Sequence, residues 1–169
     1  MSTTSIAPVP PNRFAGLRLE QLSLDEQEAV IALALAALES RHRPGVPVTS
    51  PADTRRYLAL RSMDYKNEAF GVIYLDNRHR VLADEILFRG SLAAATVHPR
   101  VVVQRTLEVN AAAVIFWHNH PSGLAEPSAS DVAITRSLRG LLDLVEVRVL
   151  DHVVVGAEQT VSFAERGLL

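Results

Sequence analysis

The chain has 169 residues, a length that allows one domain of ordinary size with a short appendage at most. Apolar residues make up 48% of it, enough for a buried core, and the formal net charge of −2 provides no general attraction to nucleic acid or anionic membranes. The absence of cysteine excludes disulfides and thiolate metal sites. Because the chain shows neither a run of 18 apolar residues nor a signal-peptide pattern, we expect a cytoplasmic protein with no membrane partner.

The first 48 residues are predicted to precede the main domain. Residues 1–22 are rich in Ser, Thr, Pro and Asn and lack periodicity, which predicts a flexible segment. A capping-box pattern at Ser23–Glu26 begins a helix that extends to about Ser40, and a Pro/Gly linker follows up to residue 48. The apolar face of this helix could pack on its own domain or on a second copy, and it comprises Val30, Leu33, Leu35 and Leu38.

Strands and helices alternate through residues 49–169, the predicted main domain. The predicted strands are 68–75, 80–88, 111–117, 145–155 and 160–163. The predicted helices begin at Ser50, which precedes a proline, and cover 99–109 and about 130–143. The last two strands form a hairpin in this interpretation. The alternation predicts an α/β (α+β) fold, a single domain whose mixed β-sheet is flanked by helices.

A cluster of residues with metal-binding side chains follows the apolar strand at 111–117. His118 and His120 are at positions i and i+2, so a strand would direct both to the same side. Ser128 and Asp131 form the S-x-x-D pattern of a capping box, which would fix Asp131 in the first turn of a helix. Two histidines and one carboxylate, with a position left for water, are typical of a catalytic zinc site. The sequence therefore predicts one zinc ion held by His118, His120 and Asp131.

His98, Trp117 and the pair Asp151–His152 are predicted to have mainly structural roles. His98, just before Pro99, is predicted to cap or pack against a helix. Asp151 and His152 lie on a predicted strand and could orient the metal ligands from behind. Trp117 should point to the opposite side of its strand from His118 and pack in the core.

The cluster matches H-x-H-P-x6-S-x2-D, which resembles the signature of the JAMM (MPN+) metalloproteases. The positions are His118, His120, Pro121, Ser128 and Asp131. The wider sequence is similar to the RadC family of bacterial JAMM-domain proteins, over roughly residues 50–169. The strings that carry this similarity include Val72–Asp76, Val97–Arg100, Asn110–Ala113, His118–Gly123 and Leu150–His152. The resemblance implies a JAMM/MPN fold, which is similar to that of the cytidine deaminases.

The resemblance also implies residue roles and an activity. Zinc would be held by the two histidines and Asp131, with water in the fourth position. An upstream glutamate would act as general base, and Glu68 is the best match, with Glu85 and Glu108 as alternatives. Ser128 would stabilise an oxyanion or orient the water. The implied activity is that of a zinc-dependent peptidase or isopeptidase, with an unknown peptide or protein substrate.

Two other functions stay open at this point. Full-length RadC proteins carry a helix-hairpin-helix region ahead of the JAMM domain, whereas fewer than 50 residues precede the matched part here. We therefore expect a short form that lacks this region, and a DNA-repair or recombination accessory protein that binds DNA or a partner is an alternative. A basic face could be formed by Arg41, Arg43, Arg55, Arg56, Arg78 and Arg80. The third hypothesis is a metal-bound interaction module without turnover.

Overall fold

A computed structural model describes residues 14, 16–90 and 96–169 of the chain. This part of the chain forms four α-helices and five strands. The helices are α1 (Leu24–Ser40), α2 (Pro51–Ser62), α3 (Pro99–Glu108) and α4 (Ala129–Asp143), with a 3-10 helix at Leu19–Gln21. The strands are β1 (Ala69–Leu75), β2 (Val81–Arg89), β3 (Ala113–Asn119), β4 (Arg148–Val155) and β5 (Thr160–Ser162). The predicted mixed α/β class is confirmed. Within the predicted flexible segment 1–22, residues 1–13 and 15 lie outside the described residues.

The five strands form one mixed sheet in the order β2-β1-β3-β4-β5. All neighbouring strands are antiparallel except β3 and β4, which are parallel and are joined by the crossover helix α4. The hairpin predicted for the last two strands is confirmed by pairs such as Val154 with Val161. The central strand β3 pairs His118 with Phe70 on one side and with Val154 on the other. The end of β3 is therefore held from both sides.

Helices cover the two faces of the sheet, and alternate residues of each strand point to one face or the other. Val72, Val114 and Phe116 pack against α3 and α4, whereas Ile73 and Ile115 pack against α2. Full burial of such side chains contributes about 1.5–3 kcal/mol each. A slip by one residue would expose both sets, so the two cores fix the strand register and place His118 on the α4 face.

Trp117 packs on the opposite face from His118, as predicted. Its indole is fully buried and lies over Gly71 of the neighbouring strand, where a β-carbon would overlap the ring. The Arg61 guanidinium lies 5.3 Å from the indole ring centre on the same face. A glycine on β1 therefore provides the space in which the residue before the first histidine is anchored.

The segment before α2 lies against the sheet. The Ser23 side chain and Glu26 form the predicted capping box of α1, and the Ser23 N–H donates to Glu26 Oε2 at 2.8 Å. Only part of the predicted apolar face is covered. Leu35 and Leu38 pack against the core, whereas Val30 and Leu33 are 42% and 56% exposed.

The predicted linker is joined to the edge strand β2 by main-chain hydrogen bonds. The Val81 N–H donates to the Val46 carbonyl at 2.9 Å, and the Gly45 N–H donates to the Val81 carbonyl at 2.8 Å.

No helix among the described residues is both long and apolar enough to cross a membrane.

Candidate metal centre

Three side chains that the sequence placed together converge where β3 meets the start of α4. His118 is the penultimate residue of β3, His120 follows the strand directly, and Asp131 is in the first turn of α4. The Nε2 atoms of the two histidines are 2.9 Å apart. Asp131 Oδ1 lies 3.4 Å from His118 Nε2, and Asp131 Oδ2 lies 3.5 Å from His120 Nε2. Ligand atoms of a tetrahedral zinc ion are roughly 3.3 Å apart, so this group could bind a metal ion.

His120 is oriented by the loop that follows β3. Its Nδ1 lies 2.7 Å from the Leu124 carbonyl oxygen, which can only accept, so Nδ1 carries a proton and donates it. The pKa of His120 is raised, first by its contact with Asp131 and then, against the effect of burial, by the Leu124 carbonyl and the charges of Asp131 and Glu68. In its neutral form, with the proton on Nδ1, the ring would direct the lone pair of Nε2 towards His118 and Asp131.

Asp131 is held by the cap of α4. Its Oδ2 accepts hydrogen bonds from the Ser128 N–H at 2.7 Å and from the Ser128 hydroxyl at 2.6 Å, and the predicted capping box is present. Burial raises the pKa of this carboxyl, but its contacts with His118, His120 and Ser128 lower it by more, and the net pKa lies well below the ordinary value. The Asp131 side chain is therefore an anion at neutral pH.

His118 is fully buried and contacts a third histidine. Its Nδ1 lies 2.8 Å from His152 Nε2, and His152 Nδ1 lies 2.6 Å from the hydroxyl of Thr135 on α4. Burial, and then the proximity of His118, lower the pKa of His152 well below its usual range, so that this ring is neutral. Of the pair Asp151 and His152, only His152 is close to the candidate ligands.

Asp151 lies on the α2 face of β4 and accepts hydrogen bonds from residues at and just after the end of β5. Its carboxylate accepts hydrogen bonds from the Ser162 hydroxyl at 2.6 Å and from the Ala164 N–H at 3.0 Å. Alternation along the strand separates it from its neighbour His152. The Asp151 side chain therefore lies on the opposite face of the sheet from the candidate ligand His118.

Glu68 immediately precedes β1, and its main chain is tied to β3. Asn119, between the two histidines, accepts a hydrogen bond from the Ala69 N–H at 2.8 Å and donates one to the Asn67 carbonyl at 3.2 Å. The Glu68 carbonyl accepts from the Gly90 N–H at 2.8 Å. The Glu68 side chain is half-buried, and its charge is one of those that raise the pKa of His120.

The two alternative glutamates are paired with an arginine. Glu85 on β2 accepts two hydrogen bonds from Arg105, at 2.8 and 2.6 Å, and Glu108 on α3 accepts one from the same guanidinium at 3.1 Å. These hydrogen bonds from Arg105 lower the pKa values of both carboxyls. The charge of Glu68, by contrast, contributes to the raised pKa of His120.

The loop between His120 and Ser128 is fastened to the turn that joins β4 to β5. The His120 N–H donates to the Val155 carbonyl at 2.8 Å, and the Ala157 N–H donates to the Gly123 carbonyl at 2.9 Å. Gly156 lies so close that a β-carbon there would overlap the Gly123 carbonyl oxygen and lie 2.8 Å from the Ala125 nitrogen. The position of His120 therefore depends on this glycine.

His98 has a packing role next to α3, and Thr135 and Asn119 contact residues of the site. The His98 ring packs edge-on against Phe88, with ring centres 5.8 Å apart, and makes no side-chain cap of α3. Thr135 and the Asn119 amide were not assigned a role from the sequence. Thr135 follows Asp131 by four residues, which places both on one helix face and could have drawn attention to it. Asn119 offered no comparable signal because its partners are main-chain groups.

Comparisons with known proteins identify the family of this chain. Residues 48–168 match the RadC-like JAB domain. A UPF0758 protein of Thioalkalivibrio sulfidiphilus is 59% identical over 142 residues, which are 84% of this chain and 63% of that protein. A UPF0758 protein of Marinobacter nauticus is 51% identical over 142 residues, which are 84% of this chain and 63% of that protein. A UPF0758 protein of Vibrio cholerae is 54% identical over 140 residues, which are 83% of this chain and 62% of that protein. The chain thus spans less than two thirds of these relatives, and it belongs to the RadC-like JAB domain family.

Proposed function

We propose that this domain is a zinc-dependent hydrolase that cleaves a peptide or isopeptide bond, with one Zn²⁺ held by His118, His120 and Asp131. The observation that carries the proposal is the convergence of three ligand atoms within 4.8 Å of one another. Two imidazole nitrogens and one carboxylate are a ligand set used by catalytic zinc sites, which keep a fourth position open.

The chemistry of the three donors fits this ion. The Asp131 carboxyl has a strongly lowered pKa, and His120 donates through Nδ1 to a carbonyl, so its Nε2 offers a lone pair. These groups provide nitrogen and oxygen ligands of the type that zinc accepts, and the chain has no cysteine to compete. When bound, zinc would supply Lewis acidity at an amide carbonyl and would lower the pKa of a bound water to about 7.

Glu68 is the proposed general base, which takes a proton from the attacking water and delivers it to the leaving amine. The charge of Glu68 acts on His120, whereas Glu85 and Glu108 are engaged by Arg105. A glutamate hydrogen-bonded to a guanidinium has a lowered pKa and is a poorer proton acceptor. The main-chain anchors at Ala69 and Asn67 hold the Glu68 backbone next to the strand that carries the ligands.

The Ser128 hydroxyl contacts Asp131, whereas the family resemblance implies a role for it at an oxyanion or a water. The hydroxyl donates to Asp131 Oδ2 at 2.6 Å and accepts from the Asp131 N–H at 3.1 Å. We propose that Ser128 orients the Asp131 carboxylate towards the metal. Its predicted role at an oxyanion or water stays a prediction, since it requires the hydroxyl to turn from Asp131 during the reaction.

The alternative of a DNA-binding module receives little electrostatic support. Four of the six arginines that could form a basic face are within 3.2 Å of carboxylate oxygens, in the pairs Arg41–Asp53, Arg55–Glu165, Arg56–Asp53 and Arg80–Asp76. Paired arginines contribute less to the attraction of phosphate. DNA binding that falls steeply as salt rises, together with no hydrolysis, would favour this alternative over the proposed enzyme.

The proposal is tested with zinc-loaded protein and a library of peptides and isopeptide-linked conjugates. We expect cleavage of a subset of the library, and a loss of about 100-fold or more in rate for Glu68→Gln with zinc content unchanged. Glu108→Gln, which changes an exposed glutamate of α3, is the matched control and should keep its activity. A Glu68→Gln variant with full activity would remove Glu68 as the base. Zinc-loaded protein that cleaves nothing would support the metal-bound interaction module.

A further inference from the structure

We infer that Thr135 and His152 are positioning residues, which together hold His118 in the tautomer that presents its Nε2 lone pair to the metal. The inference rests on the proposed metal centre, to which it adds two residues that provide no metal ligand themselves. It follows from the directions that hydrogen bonds must take along a chain of four groups.

The chain of hydrogen bonds begins at a group that can only accept. The carbonyl oxygen of Asp131 lies 2.6 Å from the Thr135 hydroxyl, one turn later on α4, and the hydroxyl must donate its only proton there. The Thr135 oxygen then faces His152 Nδ1, at 2.6 Å, with a lone pair. His152 Nδ1 must therefore carry a proton and donate it to Thr135.

The remaining two directions follow from the number of protons on a neutral imidazole. His152 is buried and carries its one ring proton on Nδ1, which leaves a lone pair on Nε2. This Nε2 lies 2.8 Å from His118 Nδ1, so His118 must donate from Nδ1. The Nε2 of His118 is then without a proton in the neutral ring, and it points at Asp131 Oδ1, 3.4 Å away.

Burial makes this direction hard to reverse. Thr135, His152 and His118 are each at most 1% exposed, so water does not replace a missing partner. The His152 ring is enclosed by Phe70, Phe116 and Phe163, whose ring centres lie 5.7, 5.9 and 4.7 Å from its own. The opposite tautomer of His152 would place two lone pairs, or two hydrogens, against each other in this apolar surrounding.

The same chain connects two of the metal ligands through the protein interior. It runs from the main chain of Asp131 through Thr135 and His152 to the ring of His118. His120 reaches the equivalent state through the Leu124 carbonyl alone. Both Nε2 atoms, 2.9 Å apart, are then acceptors beside a carboxylate, an arrangement that favours a bound cation.

The direct test compares zinc affinity in Thr135→Val and Thr135→Ser, measured by competition with a chromogenic chelator. Thr135→Val keeps the shape of the side chain but removes the hydroxyl, and we expect zinc affinity to fall by about 10- to 100-fold. Thr135→Ser retains the hydroxyl and should keep affinity close to that of the unmodified protein. Equal affinity in all three proteins would overturn the inference.

A second measurement does not depend on the behaviour of any variant. Two-bond ¹⁵N–¹H correlation spectra of the metal-free protein, recorded above the ordinary histidine pKa of about 6.5, report which ring nitrogen carries the proton. We expect His118 and His152 both to be protonated on Nδ1. A proton on Nε2 of either ring would contradict the inference. Unmodified protein that binds no zinc while showing these tautomers would contradict the proposed function but leave the tautomer assignment intact.

Discussion

The Asn119 side chain accepts a hydrogen bond from the Ala69 N–H at 2.8 Å, and this contact joins the start of β1 to the strand that carries the histidines. The same amide donates to the Asn67 carbonyl at 3.2 Å, so that the residues on both sides of Glu68 are held by one side chain. Asn119 is 4% exposed. The candidate base and two candidate ligands are therefore fixed relative to each other by a residue that lies between the ligands.

Removal of this amide should affect hydrolysis more than metal binding. Asn119→Ala leaves the Ala69 N–H without its partner, and we expect the free energy of unfolding to fall by about 1–3 kcal/mol. Displacement of Glu68 by about 1 Å should lower the rate of hydrolysis by roughly 100-fold. Zinc affinity should change much less, because the candidate ligand His118 points to the other face of the strand.

Asn67→Ala is the matched control for Asn119→Ala, because Asn67 contributes its main-chain carbonyl to this contact and the substitution retains it. Its hydrolysis rate and its melting temperature should both stay close to those of the unmodified protein. If Asn119→Ala instead lost zinc and kept hydrolysis in proportion to its remaining metal, the positioning role of Asn119 would be wrong.

A change at Gly156 should disturb the site through the loop that carries His120. In Gly156→Ala the new methyl group would overlap the Gly123 carbonyl oxygen, and main-chain atoms must shift to relieve this overlap. We expect a loss of about 1–3 kcal/mol in the free energy of unfolding, as for other overpacked sites, together with weaker zinc binding. Denaturant unfolding and zinc titration measure the two effects.

Gly140→Ala provides the comparison for Gly156→Ala. A β-carbon at Gly140, on the exposed side of α4, would meet nothing within 4 Å. Alanine is favoured over glycine in a helix, so this variant should gain about 0.5–1 kcal/mol in stability with zinc affinity unchanged. Equal stability and equal zinc affinity for both variants would show that the Gly123–Gly156 contact does not hold the loop.

Zinc should stabilise the folded domain in proportion to its occupancy. Ligand at 100 times its dissociation constant adds about 2.7 kcal/mol to the free energy of unfolding. For a chain of this size, the expected rise in melting temperature is roughly 5–11 °C, since each kcal/mol corresponds to about 2–4 °C. A chelator should reverse the rise. An unchanged melting temperature at saturating zinc would count against a site formed only in the folded state.

The sequence predicted the convergence of His118, His120 and Asp131 because these residues are close along the chain. The strand before them was placed two residues too early, at 111–117, whereas β3 spans Ala113–Asn119. Asn110, with φ of 57°, ends the turn after α3, and β3 begins at Ala113, although the Ala112 N–H already donates to the Leu75 carbonyl. The apolar composition of Ala111 and Ala112 did not distinguish them from strand residues. The shift matters because it places Asn119 within the strand, where it reaches the segment around Glu68.

Contacts between distant segments were the part that the sequence did not supply. Thr135 is 17 residues from His152, and its spacing of four from Asp131 indicates a shared helix face but not the contact with His152. On α1, periodicity grouped Val30 and Leu33 with Leu35 and Leu38, but only the last two have a neighbour in the core. Hydrophobic spacing identifies a face of a helix, and tertiary packing decides which part of that face is covered.

The measurement that tests the central claim most directly is the zinc content of purified protein by elemental mass spectrometry, after equilibration with zinc and removal of the excess. Asp131→Ala is measured in parallel, with Asp143→Ala, an exposed aspartate at the end of the same helix, as the control. The account predicts about one zinc per chain in the unmodified protein and in Asp143→Ala, and a large loss in Asp131→Ala. No zinc in the unmodified protein, or equal zinc in all three, would contradict it.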